Sequence, residues 1–133
     1  MIVLDTHVLL WWAGGQLDAL SAAGLAAIRR EQKKQGAILV SSISAWEIAM
    51  LVDRNRLALS MDVAAWLTAV TRIENLRFIP VDNPIALESV NLPGTFHPDP
   101  ADRIIVATAR KHAAPLLTRD KKIQDYAHVQ TIW

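Results

Sequence analysis

Ile2-Val3-Leu4-Asp5-Thr6-His7-Val8-Leu9-Leu10-Trp11-Trp12 is the stretch from which the fold can be read. Ile2 to Leu4 form a short, wholly apolar run that stops at Asp5, and Val8 to Trp12 carry a second run onward into a helix. A buried strand that ends on an acid and turns at once into a helix opens a βα unit. In open α/β folds, ligands bind just outside the carboxyl ends of parallel strands. Asp5 is therefore a candidate site residue from the first turn of the chain.

The same alternation continues downstream. Ser21 opens a helical segment with Leu25 and Ile28 on its apolar side and Arg29, Arg30, Lys33 and Lys34 near its end, where cations suit the helix dipole. Gly36 is its natural stop. Ala37 to Val40 reads as a second buried strand leading into Ser41 and Ser42. Ala45 to Val52 is apolar nearly all round apart from Glu47, which predicts a buried helix. A helix over Val63 to Ile73 precedes a short strand around Phe78 to Val81, where Pro80 fits only at a strand end or sheet edge. Asn83-Pro84 starts a short helix that Asn91-Leu92-Pro93-Gly94 breaks. Pro100 to His112 reads as helix, Pro115 to Thr118 as strand, Lys121 to Tyr126 as a helical turn and Val129 to Trp133 as a last strand. Strands alternating with helices imply a mostly parallel, twisted sheet with helices on both faces. No repeat, linker or low-complexity tract divides the 133 residues, so one α/β domain over residues 1–133 is expected.

Four acids fall where a strand-like run ends or a helix begins: Asp5, Glu47, Asp102 and Asp120. Helix capping would explain each alone. Asp5 precedes a helix and accepts bonds from free N–H groups. Ser44-Ala45-Trp46-Glu47 fits a capping box, in which Glu reaches back to the cap. Asp99-Pro100 is a strong helix start, with Asp102 in the first turn, so Asp99 is assigned to capping and Asp102 to the site. Asp120 and Asp125 compete for one role, and Asp120 is preferred because it lies nearer the strand. Capping alone would bring four acids to one sheet edge only by chance.

Crowded carboxylates repel and raise each other's pKa, so such a cluster needs a cation. A set of oxygen ligands favours Mg²⁺ or Mn²⁺ over Zn²⁺ or copper. Ions of that kind polarise phosphoryl groups and stabilise an in-line displacement, which points to phosphodiester hydrolysis. Gly14-Gly15 lacks the Lys and Ser/Thr of a phosphate-binding loop. His7, His97, His112 and His128 form no zinc motif and read as structural or surface groups.

These blocks resemble a known family. Residues 2–11, Ser44 to Ala49, Asp99 to Ala109 and Leu117-Thr118-Arg119-Asp120 are similar, in order and spacing, to the four motif blocks of PIN-domain proteins, most of all VapC-type toxins of bacterial toxin–antitoxin pairs. The resemblance implies an endoribonuclease dependent on Mg²⁺ or Mn²⁺, held inactive by a cognate antitoxin and assembled as a homodimer. It implies Asp5, Glu47, Asp102 and Asp120 as the metal-binding acids and Thr118 as a polar neighbour. Many relatives carry Asn at the place of Asp120 and an acid a few residues later, so the choice between Asp120 and Asp125 stays open. Two other readings compete with the nuclease. A catalytically silent PIN-like module that binds RNA or protein would have little reason to carry the acidic set. A haloacid-dehalogenase-type phosphatase would need a second Asp two positions after Asp5, where His7 stands.

The bulk numbers narrow the setting. A net charge of +1 is too small to mark a nucleic-acid-binding protein, so RNA contact requires a local patch, for which Arg103, Arg119, Lys121 and Lys122 are candidates beside the acids, with ordinary solvated surface charge as the better reading of any single one. The absence of Cys excludes disulfides and thiolate metal sites and suits a reducing cytoplasm. No apolar run is long enough to span a bilayer, and no basic segment precedes Ile2 as in a signal peptide. Hydrophobic residues make up 52% of the chain, with five Trp, which leaves apolar surface for a protein partner. Trp11, Trp12, Met50, Leu51 and Val52 are candidate contacts, with core packing as their alternative role.

Overall fold

The computed structural model describes all residues, Met1–Trp133. Its strands are β1 (Ile2–Leu4), β2 (Ile38–Ser41), β3 (Leu76–Ile79), β4 (Leu116–Leu117) and β5 (Thr131–Ile132). Its helices are α1 (Thr6–Ala13), α2 (Ala22–Lys33), α3 (Ser42–Asp53), α4 (Val63–Thr71), α5 (Asn83–Val90), α6 (Pro100–Lys111) and α7 (Lys121–Gln124), with a single 3₁₀ turn at Leu17–Ala19 that no sequence signal announced. The strands form one sheet in the order β3-β2-β1-β4-β5, and every pairing is parallel. The sheet is thus wholly rather than mostly parallel.

Alternation along the central strands builds two cores. Ile2, Leu4, Ile38 and Val40 face one side and pack with Leu9, Ile28, Ile48 and Trp66 of α1 to α4. Val3, Leu39 and Leu116 face the other and pack with Ile85, Ile105, Val106 and Ile123 of α5 to α7. Helices therefore cover both faces, as parallel strands joined by helical crossovers require. β1 is the pivot. The chain first builds outward to β2 and β3, then returns to the other side of β1 for β4 and β5. The carboxyl end of β1 is therefore the switch point where a crevice opens.

Several boundaries moved. β3 begins at Leu76 and ends before Pro80, which leaves that residue outside the ladder on an edge strand. α2 ends through Gln35, the residue with positive φ (55°), while the Gly36 N–H donates to the Glu31 carbonyl at 2.8 Å. Gly36 serves a different purpose: a Cβ there would stand 1.9 Å from Glu31 Oε2. α3 is not the buried helix that its composition predicts. Only Ser44 and Ile48 are buried, and Trp46 is 55% exposed. Its apolar residues outnumber those that one helix face can hide. No helix of the chain is long and apolar enough to cross a membrane.

Candidate active site

Asp5 follows β1 directly, and its backbone N–H donates to the Leu117 carbonyl of β4 at 3.0 Å. The carboxylate is therefore anchored between two parallel strands. It caps α1 by accepting from the Thr6 N–H at 2.8 Å, and its other oxygen accepts from Thr118 Oγ1 at 2.6 Å. Thr118, wholly buried, in turn accepts the Asp120 N–H at 3.0 Å. One threonine thus ties two acids that lie 115 positions apart by their numbers (120 − 5).

Thr6 performs the same service for Glu47. Its hydroxyl donates to Glu47 Oε1 at 2.6 Å; with that proton committed, the Ser44 hydroxyl 2.8 Å away must donate to Thr6. The capping box predicted at Ser44 to Glu47 does not form. α3 starts earlier, at Ser42, with Ser41 as its cap accepting the Ile43 N–H at 3.2 Å, and Ser44 is buried against Thr6 instead. Glu47 is consequently free of capping and turned toward α1.

α6 begins as its sequence dictates. Asp99 accepts the Asp102 N–H at 3.1 Å, Pro100 occupies the first turn, and Ala101, Ile105, Thr108 and Ala109 line the buried face. Asp102 thereby lines the same cleft as Asp5. Asp120 caps α7 through the Lys122 N–H at 2.9 Å and still reaches the same crevice. Capping and facing the site are compatible, because capping occupies one carboxylate oxygen and leaves the other.

Asp5, Glu47, Asp102 and Asp120 all line one cavity of about 380 Å³, with Asp99, His7, Trp11 and Arg119 on its walls. A larger cavity of about 580 Å³ lies elsewhere, beside Arg110 and Glu88, and contains none of the four acids. Asp125 is outside the cleft, exposed and paired with Lys121 at 2.8 Å. No Lys or Arg forms an ion pair with any of the four acids. The electrostatic result is strong. Burial, then the charges of Asp5, Asp99, Asp120 and Glu47, push the Asp102 carboxyl up to about 8. Burial also raises Asp5 and Glu47, against the opposing hydrogen bonds from Thr118 and Thr6. A site in this condition favours a cation, and its donors are the hard oxygens that Mg²⁺ and Mn²⁺ accept.

Two sequence readings need correction. Arg103 does not face the cleft. Its guanidinium donates to the carbonyls of Ser89 (2.7 Å), Phe96 (3.1 Å), His97 (3.4 Å) and Val90 (3.2 Å), so it fastens α5 and the following loop to α6. His97, read as a bystander, has its Nε2 3.2 Å from Asp102 Oδ2. Donor atoms of His97, Asp102 and Asp120 all fall within 4.8 Å of one another. Its place in His97-Pro98-Asp99-Pro100-Ala101-Asp102 was the available signal, since the two prolines restrict the backbone between the ring and the acid. Arg119 stays exposed at the mouth, 5.9 Å from the Trp11 ring centre. Trp11 is half-buried, packed on the core on one side and lining the cleft on the other.

Comparison with known proteins gives the family. The sequence matches the PIN domain over residues 2–129. This chain belongs to the PIN-domain family. Ribonuclease VapC22 of Mycobacterium tuberculosis is 34% identical over 134 residues, spanning 99% of this chain and 98% of that protein. The PIN fold recurs in VapBC2 from Rickettsia felis bound to a promoter DNA fragment, at TM-score 0.70 and 17% identity over 98% of this chain and 97% of that one. DNA-bound VapBC from Salmonella typhimurium is similar at TM-score 0.67 and 16% identity, again over 98% and 97% of the two chains. At such identities the structural likeness concerns the fold.

Proposed function

We propose that this protein is an endoribonuclease that cleaves RNA phosphodiester bonds with Mg²⁺ or Mn²⁺, and that it is the toxin of a toxin–antitoxin pair. The observation that carries the reading is the uncompensated group of Asp5, Glu47, Asp102 and Asp120, with Asp102 held near 8 by burial and by its neighbours. A cleft that only bound RNA would gain from cations on its floor, whereas this floor repels phosphate until a divalent ion is present. The 34% identical relative is named a ribonuclease, and the structural neighbours include VapBC assemblies and a toxin–antitoxin complex from Klebsiella pneumoniae.

Asp5, Glu47, Asp102 and Asp120 would hold the ion. Bound there, it supplies the positive charge that lets a phosphodiester approach and polarises the phosphoryl group. The chain's own groups do the rest. Thr118 and Thr6 fix the carboxylates of Asp5 and Glu47 through 2.6 Å bonds, so neither can rotate away to make other contacts. Asp102 holds a proton in the metal-free protein near neutral pH and releases it when a cation takes its place. Arg119, Lys121 and Lys122 are exposed beside the cleft and suited to flanking phosphates, and the Trp11 face to a base.

Exposed Trp46, Leu87 and Val90 are apolar side chains of the kind that a cognate antitoxin or a second copy in a homodimer would cover. The working compartment in this reading is the cytoplasm, where RNA and antitoxin are found, and residues 1–133 act as one domain. Purified protein should cut single-stranded RNA with Mn²⁺ or Mg²⁺ and stop when EDTA is added. Undiminished cutting in EDTA would overturn the reading.

A further inference from the structure

We propose that His97 is a nitrogen ligand of the cation site, and that it biases the site toward Mn²⁺ over Mg²⁺. This rests on the reading of the acidic cleft as a metal centre. It goes beyond that reading by adding a ligand of different chemistry to an oxygen-only set.

His97 Nε2 stands 3.2 Å from Asp102 Oδ2 but makes no hydrogen bond, and the nitrogen is closed off from solvent. A buried polar atom without a partner costs roughly 1–3 kcal/mol, so native folds seldom leave one idle. Nearness without alignment has a simple cause when both groups aim at a third point. Two donors cis on one octahedral ion, each about 2.1 Å from it, are separated by about 3 Å. The His97–Asp102 separation is of that size, and Asp120 also offers an oxygen within 4.8 Å of both.

The His97 ring is not free to swing. Phe96 stands edge-on to it, with centroids 4.4 Å apart. The backbone that carries it is tied down by Arg103, whose guanidinium grips the carbonyls of Phe96 and His97 from the residue next to Asp102 on α6. Arg103 therefore couples the position of the imidazole to that of the carboxylate. A site whose ligands are held by surrounding bonds loses little on closing around an ion.

Mg²⁺ prefers oxygen donors and keeps its waters, whereas imidazole suits first-row transition ions, with affinity rising from Mn²⁺ along the series. One nitrogen among oxygens shifts preference without excluding either ion.

Electron spin-echo spectroscopy of Mn²⁺ bound to the intact protein reads the proposal directly, because imidazole nitrogen modulates the echo and carboxylates do not. We expect nitrogen modulation in the natural protein and its loss in His97→Ala. Calorimetry should show Mn²⁺ affinity falling at least about tenfold in that variant, with Mg²⁺ affinity changed far less. Mn²⁺ bound without nitrogen modulation would overturn the His97 assignment and leave the acidic centre standing. Failure to bind Mn²⁺ at all would sink both. The spectrum of the natural protein decides the matter even if the variant does not fold.

Discussion

Glu31, a buried acid, and Asp102, a part-buried one, lie toward opposite ends of β1, and the protein treats them in opposite ways. Glu31, at the amino end of β1, has a side chain only 6% exposed and is flanked by the Met1 ammonium at 2.9 Å and Lys34 at 3.3 Å. Burial would raise its carboxyl, but those two cations reverse the effect and hold it below the usual range. Asp102, past the carboxyl end of the same strand, is 18% exposed and faces four other carboxylates with only His97 beside it. One acid is neutralised where it stabilises the fold. The other is left with its charge unsettled, as the proposed role of a metal ligand requires.

The contrast can be broken by experiment. Its largest consequence concerns activity: Asp5→Asn should reduce RNA cleavage by at least about a hundredfold, beyond what groups that only orient a ligand usually contribute. Circular dichroism should show the fold intact, and near-normal cutting by the folded variant would remove Asp5 from the site. Glu31→Ala should do the reverse. It should cost about 1–3 kcal/mol in urea unfolding, as loss of a charged partner does, and leave the cleavage rate per folded molecule unchanged. A drop in that rate with stability preserved would erase the distinction between the two acids.

A smaller effect is expected from pH. The folded Asp102 carboxyl lies near 8, above its unfolded value of 3.8, so the metal-free fold keeps a proton that the unfolded chain gives up. Stability from this group is complete below about pH 4 and is lost as pH rises toward 8. Asp5 and Glu47, raised in the same direction, add to the slope. Glu31 and Asp82 are shifted downward, so their contribution falls below that window. The melting temperature of EDTA-treated protein should therefore fall by a few degrees between pH 5 and pH 8, and Asp102→Asn should flatten much of the decline. An unchanged slope in the variant would place the unsettled charge elsewhere. Smallest of all, Asp125→Asn breaks only an exposed pair with Lys121 and should shift stability by about 0.5 kcal/mol or less. Cleavage should be unaffected. A large loss of activity would make Asp125, not Asp120, the fourth acid.

Much of this was legible in the chain. Ile2-Val3-Leu4 ending at Asp5, Asp99-Pro100 opening α6, and Leu116-Leu117 preceding Asp120 are local signals, and local signals survive folding because their causes lie within a few residues. The misses share one cause as well. Ser44 and Glu47 have the spacing of a capping box, yet tertiary bonding to Thr6 claimed both side chains and the helix began at Ser42. Arg103 reads as a phosphate contact because it adjoins Asp102, but a helix turns neighbouring residues to different sides, and its fork found four carbonyls instead. His97 matches no metal spacing in sequence, and its only local signal is the proline-restricted stretch that separates it from Asp102.

The sequence by itself determined the alternation of strand and helix, the parallel sheet that follows from it, and the residue types able to bind a hard cation. Periodicity and capping are properties of short segments, and the relevant acids lie at segment ends. Tertiary structure alone decided which of those acids share a cavity, which threonines lock them, and which charges remain unpaired. Those outcomes depend on strand order: β4 returns to the side of β1 opposite β2, bringing Thr118 to Asp5 across 113 positions, and no local rule specifies that return.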